Sequence, residues 1–273
     1  MVGIGEVLLG GVFALVGLWA LHRLSAVANA ALTLRGVPTN DTTRFADGRT
    51  VAVEGPVFVD EPASIAERLF DPDGETVGAY IWHAWFPDSG RYTYDFDRGE
   101  LRQGKSTFAS GLESGRVGVT VDGQRLSTDF SWLKKLYDSD TLSELEVGNP
   151  ASNAKLPTVV TRHLWDSLYV SLESTTGGCS MNRLTDIVDL YRDDVATDEF
   201  NVESRGIRAG QQLFICGELR ATNGEYAIVG TGETPLLVSD QGREGLTHQL
   251  RWRAVKYVLA LLVAIGLGAL FVL

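Results

Sequence analysis

Apolar residues are arranged along this chain in two ways. At both ends they run almost without interruption. Within residues 2–24 the only charges are Glu6 and Arg23, and 7–21 carries none. The last seventeen residues, from Tyr257 on, are also uncharged. About 20 apolar residues suffice for a helix to cross a bilayer, so 2–24 and 254–273 are expected to be transmembrane helices. No positive cluster precedes the first segment. That argues against a cleaved leader, although Ala28-Asn29-Ala30 loosely resembles a cleavage site. Lys256 can snorkel from the near end of the second segment.

Between these ends the period changes to two. Val51, Val53, Gly55, Val57 and Val59 alternate through 49–60, the mark of a half-buried strand. Gly55 interrupts the alternation where a bulge or a close backbone approach is expected. Further strands are expected at 77–86, 91–96, 116–121, 213–219, 226–229 and 236–239. Turns are expected at Asp71-Pro72-Asp73-Gly74, Asp122-Gly123 and Asn223-Gly224. Helical periodicity is scarcer. It is clearest at 182–192, with single turns expected near 65–70 and 142–147. The expectation is a mainly β fold: a barrel- or sandwich-like domain over 34–245 with one or two short helices, between two transmembrane helices.

Two short segments hint at internal duplication. Val51-Ala52-Val53-Glu54-Gly55-Pro56-Val57 and Leu213-Phe214-Ile215-Cys216-Gly217-Glu218-Leu219 share apolar-x-apolar-x-Gly-x-apolar. Small residues also recur every fourth position in the terminal segments, at Gly10 and Ala14 and at Ala260, Ala264 and Gly268. That spacing lets helices approach closely.

Charge narrows the function classes. The 273 residues carry 24 basic and 35 acidic side chains, net −11. Residues 24–250 alone hold 20 of the basic and 34 of the acidic groups, net −14. Such a domain repels phosphate, so nucleic acid is excluded as a partner. It is also repelled by anionic headgroups, which leaves the helices as its tether. Nineteen of the basic residues are Arg and five are Lys. Lys-poor acidity of this archaeal type suits a halophilic cytosol, where concentrated salt screens self-repulsion. His22, Arg23, Arg251, Arg253 and Lys256 all lie on the inner flanks of the apolar segments. The positive-inside rule then places the domain in the cytoplasm, under the plasma membrane. Asn40-Asp41-Thr42 is a glycosylation sequon that matters only on the other side.

Candidate chemistry is sparse. Two cysteines and four histidines cannot fill a two-zinc RING, and Cys179 and Cys216 belong to no CxxC pair. His22, His83, His163 and His248 are isolated in sequence, so no metal, cofactor or catalytic residue is assigned. Cys216 and His83 read as packed strand residues, and Cys179 sits in a Gly-rich stretch. The aromatic group Tyr80, Trp82, Trp85 and Phe86 could line a groove, though a strand buried on both faces accounts for it as well. Gly99 to Ser106 matches GxxxxGK[ST]. A phosphate-binding loop of that kind must follow a buried strand and open a helix. Here an alternating segment precedes it, glycines follow it, and Glu100 lies inside it. Nucleotide binding there is therefore the alternative reading.

The order of features carries a resemblance. An apolar helix leads into Val53-x-Gly55-x-Val57, then the aromatic strand and Phe130-Ser131-Trp132. Glu203-x-x-x-Ile207-x-x-Gly210-x-x-Leu213-x-x-x-Gly217-Glu218 follows, then Pro235-Leu236-Leu237-Val238-Ser239 and the closing helix. Over 34–273 this resembles the GIDE-type, or "beside a membrane", domain of MULAN-like membrane-embedded ubiquitin ligases. In that family a RING follows the second helix, and here the sequence given stops within it. The resemblance implies a membrane-tethered sensing or docking module with a protein or small-ligand partner, not ubiquitin transfer by this chain. A scaffold role with a RING supplied in trans is the further alternative it implies.

Overall fold

The computed structural model describes residues 4–64, 66, 76–95, 100–142, 163–173, 175–179, 201–222 and 224–272. In chain order, helix α1 (Ile4–Arg35) precedes strands β1 (Thr50–Val59), β2 (Val77–Asp95), β3 (Glu100–Ser114), β4 (Val117–Val121) and β5 (Gln124–Asp129). Helix α2 (Ser131–Leu136) precedes β6 (Val170–Ser171), β7 (Thr175–Cys179), β8 (Asn201–Arg208), β9 (Gln212–Thr222), β10 (Glu225–Val229), β11 (Leu237–Ser239) and helix α3 (Gly242–Val272). The chain divides into a helical unit, 1–38 with 242–273, and a β unit, 39–241.

In the β unit five strands close on themselves. β1 pairs with β4, β4 with β5, β5 with β10, β10 with β9, and β9 again with β1. The β5–β10 pair is parallel and the other four are antiparallel. This is a five-stranded Greek-key barrel of the OB type, and closure removes exposed sheet edges. The two segments that look alike in sequence are the strands that close it. Val53 lies opposite Ile215, Val51 opposite Gly217 and Gly55 opposite Leu213. Each copy of the pattern thus faces the other about a local two-fold axis through the Val53–Ile215 pair.

The glycines of that pattern are required by packing. A Cβ on Gly55 would collide with the Thr120 carbonyl oxygen of β4. A Cβ on Gly217 would lie 2.7 Å from the Val229 carbonyl oxygen of β10. Beyond Pro56, β1 gains β4 as a partner through Val57, Phe58 and Val59. Gly55-Pro56 is therefore the corner at which one strand serves two neighbours. Asp122 and Gly123 both adopt positive φ, 48° and 78°, as the two-residue hairpin between β4 and β5 demands.

The barrel fills with Val51, Val53, Val119, Leu126, Leu213, Ile215, Leu219 and Ile228. Helix α2 adds the fully buried Leu133, and Trp132 lies flat against Gly230, where a Cβ would meet the indole. A second sheet, in the order β3-β2-β8-β7, stands beside the barrel. One of its faces gives Ala79, Ile81, Leu112 and Ile207 to the same core. The other buries Tyr80, Trp82, Ala84, Ala109 and Val202 in a second cluster. Every residue from Val77 to Ala84 is buried, so this strand is apolar on both faces.

The expected strand at 77–86 and the described part of that at 91–96 are one strand, β2, which pairs with β3 over 79–88 and again over 92–95. The expected helix at 182–192, all of 142–147 but Leu142, most of 65–70, the turn at 71–74 and Asn223 of the later turn lie outside the described residues. Helix α2 and strands β3, β5, β6, β7 and β8 were not anticipated by periodicity. Each is short or lacks clean alternation, and tertiary pairing decides such segments.

In the helical unit α1 and α3 lie antiparallel. Trp19 meets Tyr257 edge to face at 5.6 Å, and a Cβ on Gly17 would lie 3.8 Å from that of Ala264. Gly268 meets Phe13 in the same way, at 3.7 Å. Ala264 and Gly268 thus do mediate helix contact, with Gly17 and Phe13 opposite them. Both helices run past their expected inner limits at 24 and 254. At 1.5 Å per residue they are about 48 and 46 Å long, against about 30 Å of hydrocarbon. Both are long and apolar enough to cross a membrane.

Barrel closure predicts the effect of filling its corner. Gly55→Val in the full-length chain in detergent is expected to cost at least about 2 kcal/mol by chemical denaturation. Gly232→Ala, at a site with open space and no positive φ, is the control and is expected to cost less. Equal stability of Gly55→Val and wild type would refute the close approach to Thr120.

Candidate functional site

Two constellations in the β unit bring polar and aromatic groups together. The first lies on the core-facing side of the second sheet. His83 of β2 is buried, and its Nε2 lies 3.1 Å from Glu203 Oε2 of β8, its cross-strand partner. With Nε2–H donating to that carboxylate, Nδ1 is left to accept from Thr107 Oγ1 at 3.4 Å. The imidazole stacks on Trp165 with ring centroids 4.0 Å apart and planes 3° from parallel. The Arg205 guanidinium lies 4.1 Å from the same indole ring, a cation–π contact.

Hydroxyl, imidazole and carboxylate in a row resemble a nucleophile, base and orienting group. The burial argues otherwise. Only 4% of His83 is exposed, and Trp165 covers its ring. The expectation that His83 is a packed strand residue therefore describes its place. The cluster ties β2, β3 and β8 to the turn Leu164–Asp166. His163, at the start of that turn, is held below its ordinary pKa by burial. Asp166 and Asp140 oppose that shift, and His83 adds to it. On the opposite face, burial and then Glu113 push the Tyr80 hydroxyl well above the usual tyrosine range. It donates to the Ser64 carbonyl at 2.9 Å.

The second constellation is on the barrel wall. Gly118 of β4 has no side chain, and a Cβ there would lie 2.8 Å from Phe58 Cζ. The Phe58 ring can therefore lie across β4. Arg125 of β5 stacks on that ring at 3.8 Å and is pinned by Asp60 at 2.5 Å. Beside this stack is a cavity of about 350 Å³, bordered also by Arg116, Gln124 and Tyr226. Its rim reaches Gly224 in the β9–β10 turn. Tyr226 is exposed and lines the cavity. The groove so offers two aromatic rings, two guanidiniums and the carboxylates of Asp60 and Glu225. Its lining is drawn from β1, β5 and β10.

The other residues singled out in the sequence sit elsewhere. Glu100 to Ser106 lie within β3, where Gly104 pairs with Asp88, Lys105 with Pro87 and Ser106 with Phe86. A strand continues to Ser114, so the segment does not open a helix and makes no phosphate-cradling loop. Tyr80 and Trp82 are buried and line no groove, Trp85 is partly buried, and the side chain of Phe86 is not among those described. Cys216 is fully buried in β9, while Cys179 lies in β7. His248 is exposed on α3 and accepts from Trp252 Nε1 at 2.9 Å, and His22 is exposed on α1. Among the described residues no cluster of His, Cys, Asp or Glu could hold a metal.

Six positions of the stretch from Glu203 to Glu218 have structural tasks. Glu203 holds His83, Ile207 and Leu213 enter the core, and Gly210 turns β8 into β9 at φ 79°. Gly217 permits the approach of β10, and Glu218 pairs with Arg220 at 2.6 Å. The groove residues Phe58, Arg125 and Tyr226 were not singled out from sequence. The Phe58-to-Gly118 contact that joins them exists only across β1 and β4.

The lowered pKa of His163 sets a pH dependence. Between its folded value and the ordinary 6.5 the unfolded chain binds more protons. Stability from this group is thus complete above 6.5 and is lost as pH falls below it. Denaturation midpoints at pH 7.5 and 5.5 should show a smaller drop for His163→Gln than for wild type. Identical drops would remove His163 as a cause.

No known family model, characterised protein or solved structure matches the chain.

Proposed function

We propose that this chain is a two-pass membrane protein whose acidic β unit is a docking module for a protein partner, on the cytoplasmic face of the plasma membrane. The observation that carries this reading is the barrel-wall groove. Its Phe58, Arg125 and Tyr226 form a preset aromatic and guanidinium surface of the kind enriched in protein interfaces. The long apolar helices support membrane tethering. The resemblance to GIDE-type domains supports a docking role rather than catalysis. A net charge of −15 over 39–241, from 18 basic and 33 acidic residues, disfavours nucleic acid.

Asn40 supports the cytoplasmic side. Its side-chain amide nitrogen donates to the Glu54 carbonyl at 3.0 Å, and its oxygen accepts from the Glu54 amide at 2.7 Å. The carboxamide thus serves as a strand partner to β1, and a glycan on that nitrogen would break the contact.

The test is crosslinking of the tagged full-length chain in native membranes at high salt, followed by mass spectrometry. A recurrent partner is expected for wild type, and Phe58→Ala with Tyr226→Ala is expected to lose it while remaining folded. Recovery of the chain alone, or capture unchanged by the double substitution, would overturn the groove as the docking site. Recovery of RING or ubiquitin-like proteins would direct the docking reading toward that pathway.

A further inference from the structure

The helical unit contains a cavity of its own. It measures about 510 Å³ and lies between α1 and α3. Val27 and Ala31 of α1 and Leu250 of α3 give it apolar walls, and Arg35, Arg243 and Arg251 are its charged residues. The lining recurs at helical spacing on both helices, so the cavity is a groove along one face of the pair. Arg243 donates to the Leu34 carbonyl, which fixes this guanidinium in the groove wall. Arg35 and Arg251 are exposed at its rim.

The position of the groove along the helices points to its occupant. Both helices exceed the hydrocarbon thickness by about 16 Å or more. The spare length falls at the Arg35 and Gly242 ends, because the uncharged stretches 7–21 and 257–273 lie at the other. The groove, bounded by Leu24 and Leu34 on α1 and by Arg243 and Ala254 on α3, occupies that spare length. It stands at the depth of lipid headgroups. Over 22–38 and 242–256 there are six Arg and Lys residues, and Glu244 is the sole acid. An apolar cleft rimmed by arginines at this depth matches an acidic phospholipid, with its phosphate against the guanidiniums and its glycerol and upper acyl carbons against Val27, Ala31 and Leu250.

We infer that the α1–α3 groove is a binding site for an anionic phospholipid. This rests on the membrane-spanning reading above. It also answers a difficulty of that reading, since a β unit of net −15 is repelled by anionic lipid. The basic helical neck supplies a local attraction of opposite sign.

The experiment uses the full-length chain reconstituted in phosphatidylcholine vesicles doped with phosphatidylglycerol. The protein is extracted in mild detergent, and its retained lipid is measured by native mass spectrometry. Phosphatidylglycerol is expected to be enriched over its share of the bilayer. Arg35→Gln with Arg251→Gln is expected to lower that enrichment roughly fivefold for each arginine removed. Arg243 is left intact because of its contact with Leu34. Retention in proportion to the bulk lipid, or equal enrichment in the variant, overturns the site. Displacement of the lipid by inorganic phosphate assigns the arginines to a free anion and overturns the lipid. In vesicles of phosphatidylcholine alone, both proteins should resist alkaline extraction. Release of the wild type there would overturn the membrane reading itself.

Discussion

The β unit depends on one pairing, that of β1 with β9. These strands are separated by most of the unit's sequence, and their contact turns an open sheet into a closed barrel. Closure is sterically narrow. Gly55 and Gly217 must both lack a side chain, because the carbonyl oxygens of Thr120 and Val229 occupy the space. The same corner lets β1 pass from β9 to β4. Phe58 then emerges on the outer wall, two residues beyond Pro56. The barrel-wall groove is a consequence of how the barrel closes.

The second sheet is held by a different principle. Residues 77–84 of β2 are buried on both sides, and the one strongly polar residue among them, His83, must find partners in the interior. It does so through Glu203, Thr107 and the face of Trp165. This satisfies a buried imidazole and at the same time joins three strands to the Leu164–Asp166 turn. A row of groups that could serve catalysis in an open cleft acts here as a structural tie, because the indole takes the place a substrate would need.

Charge is segregated between the two units. The helices hold six basic and two acidic residues, net +4, while the β unit stands at −15. Neither number is visible in the total of −11. The excess of positive charge sits where the helices outrun a bilayer's hydrocarbon. Under the lipid-site proposal, that excess is what attracts the acidic headgroups the β unit repels.

Much of this was legible in the order of the residues. Period-two alternation located β1, β4, β9 and β10, since a half-buried strand leaves that imprint whatever it pairs with. Gly55 announced a close approach, and uninterrupted apolar runs announced the terminal helices. The apparent duplication was legible as well, but not its meaning, which is that the two copies pair with each other. Strand order, the merging of 77–86 and 91–96 into one strand, and the pairing of His83 with Glu203 come from contacts between residues far apart in sequence. No local pattern encodes them. Phe58, Gly118, Arg125 and Tyr226 look unremarkable in their own segments, and so do Arg35 and Arg251. Local sequence determined which stretches extend, coil or turn, because backbone sterics and burial on one face act over a few residues. Only the tertiary structure decided which surfaces meet, because a groove needs walls from strands or helices that the sequence keeps apart.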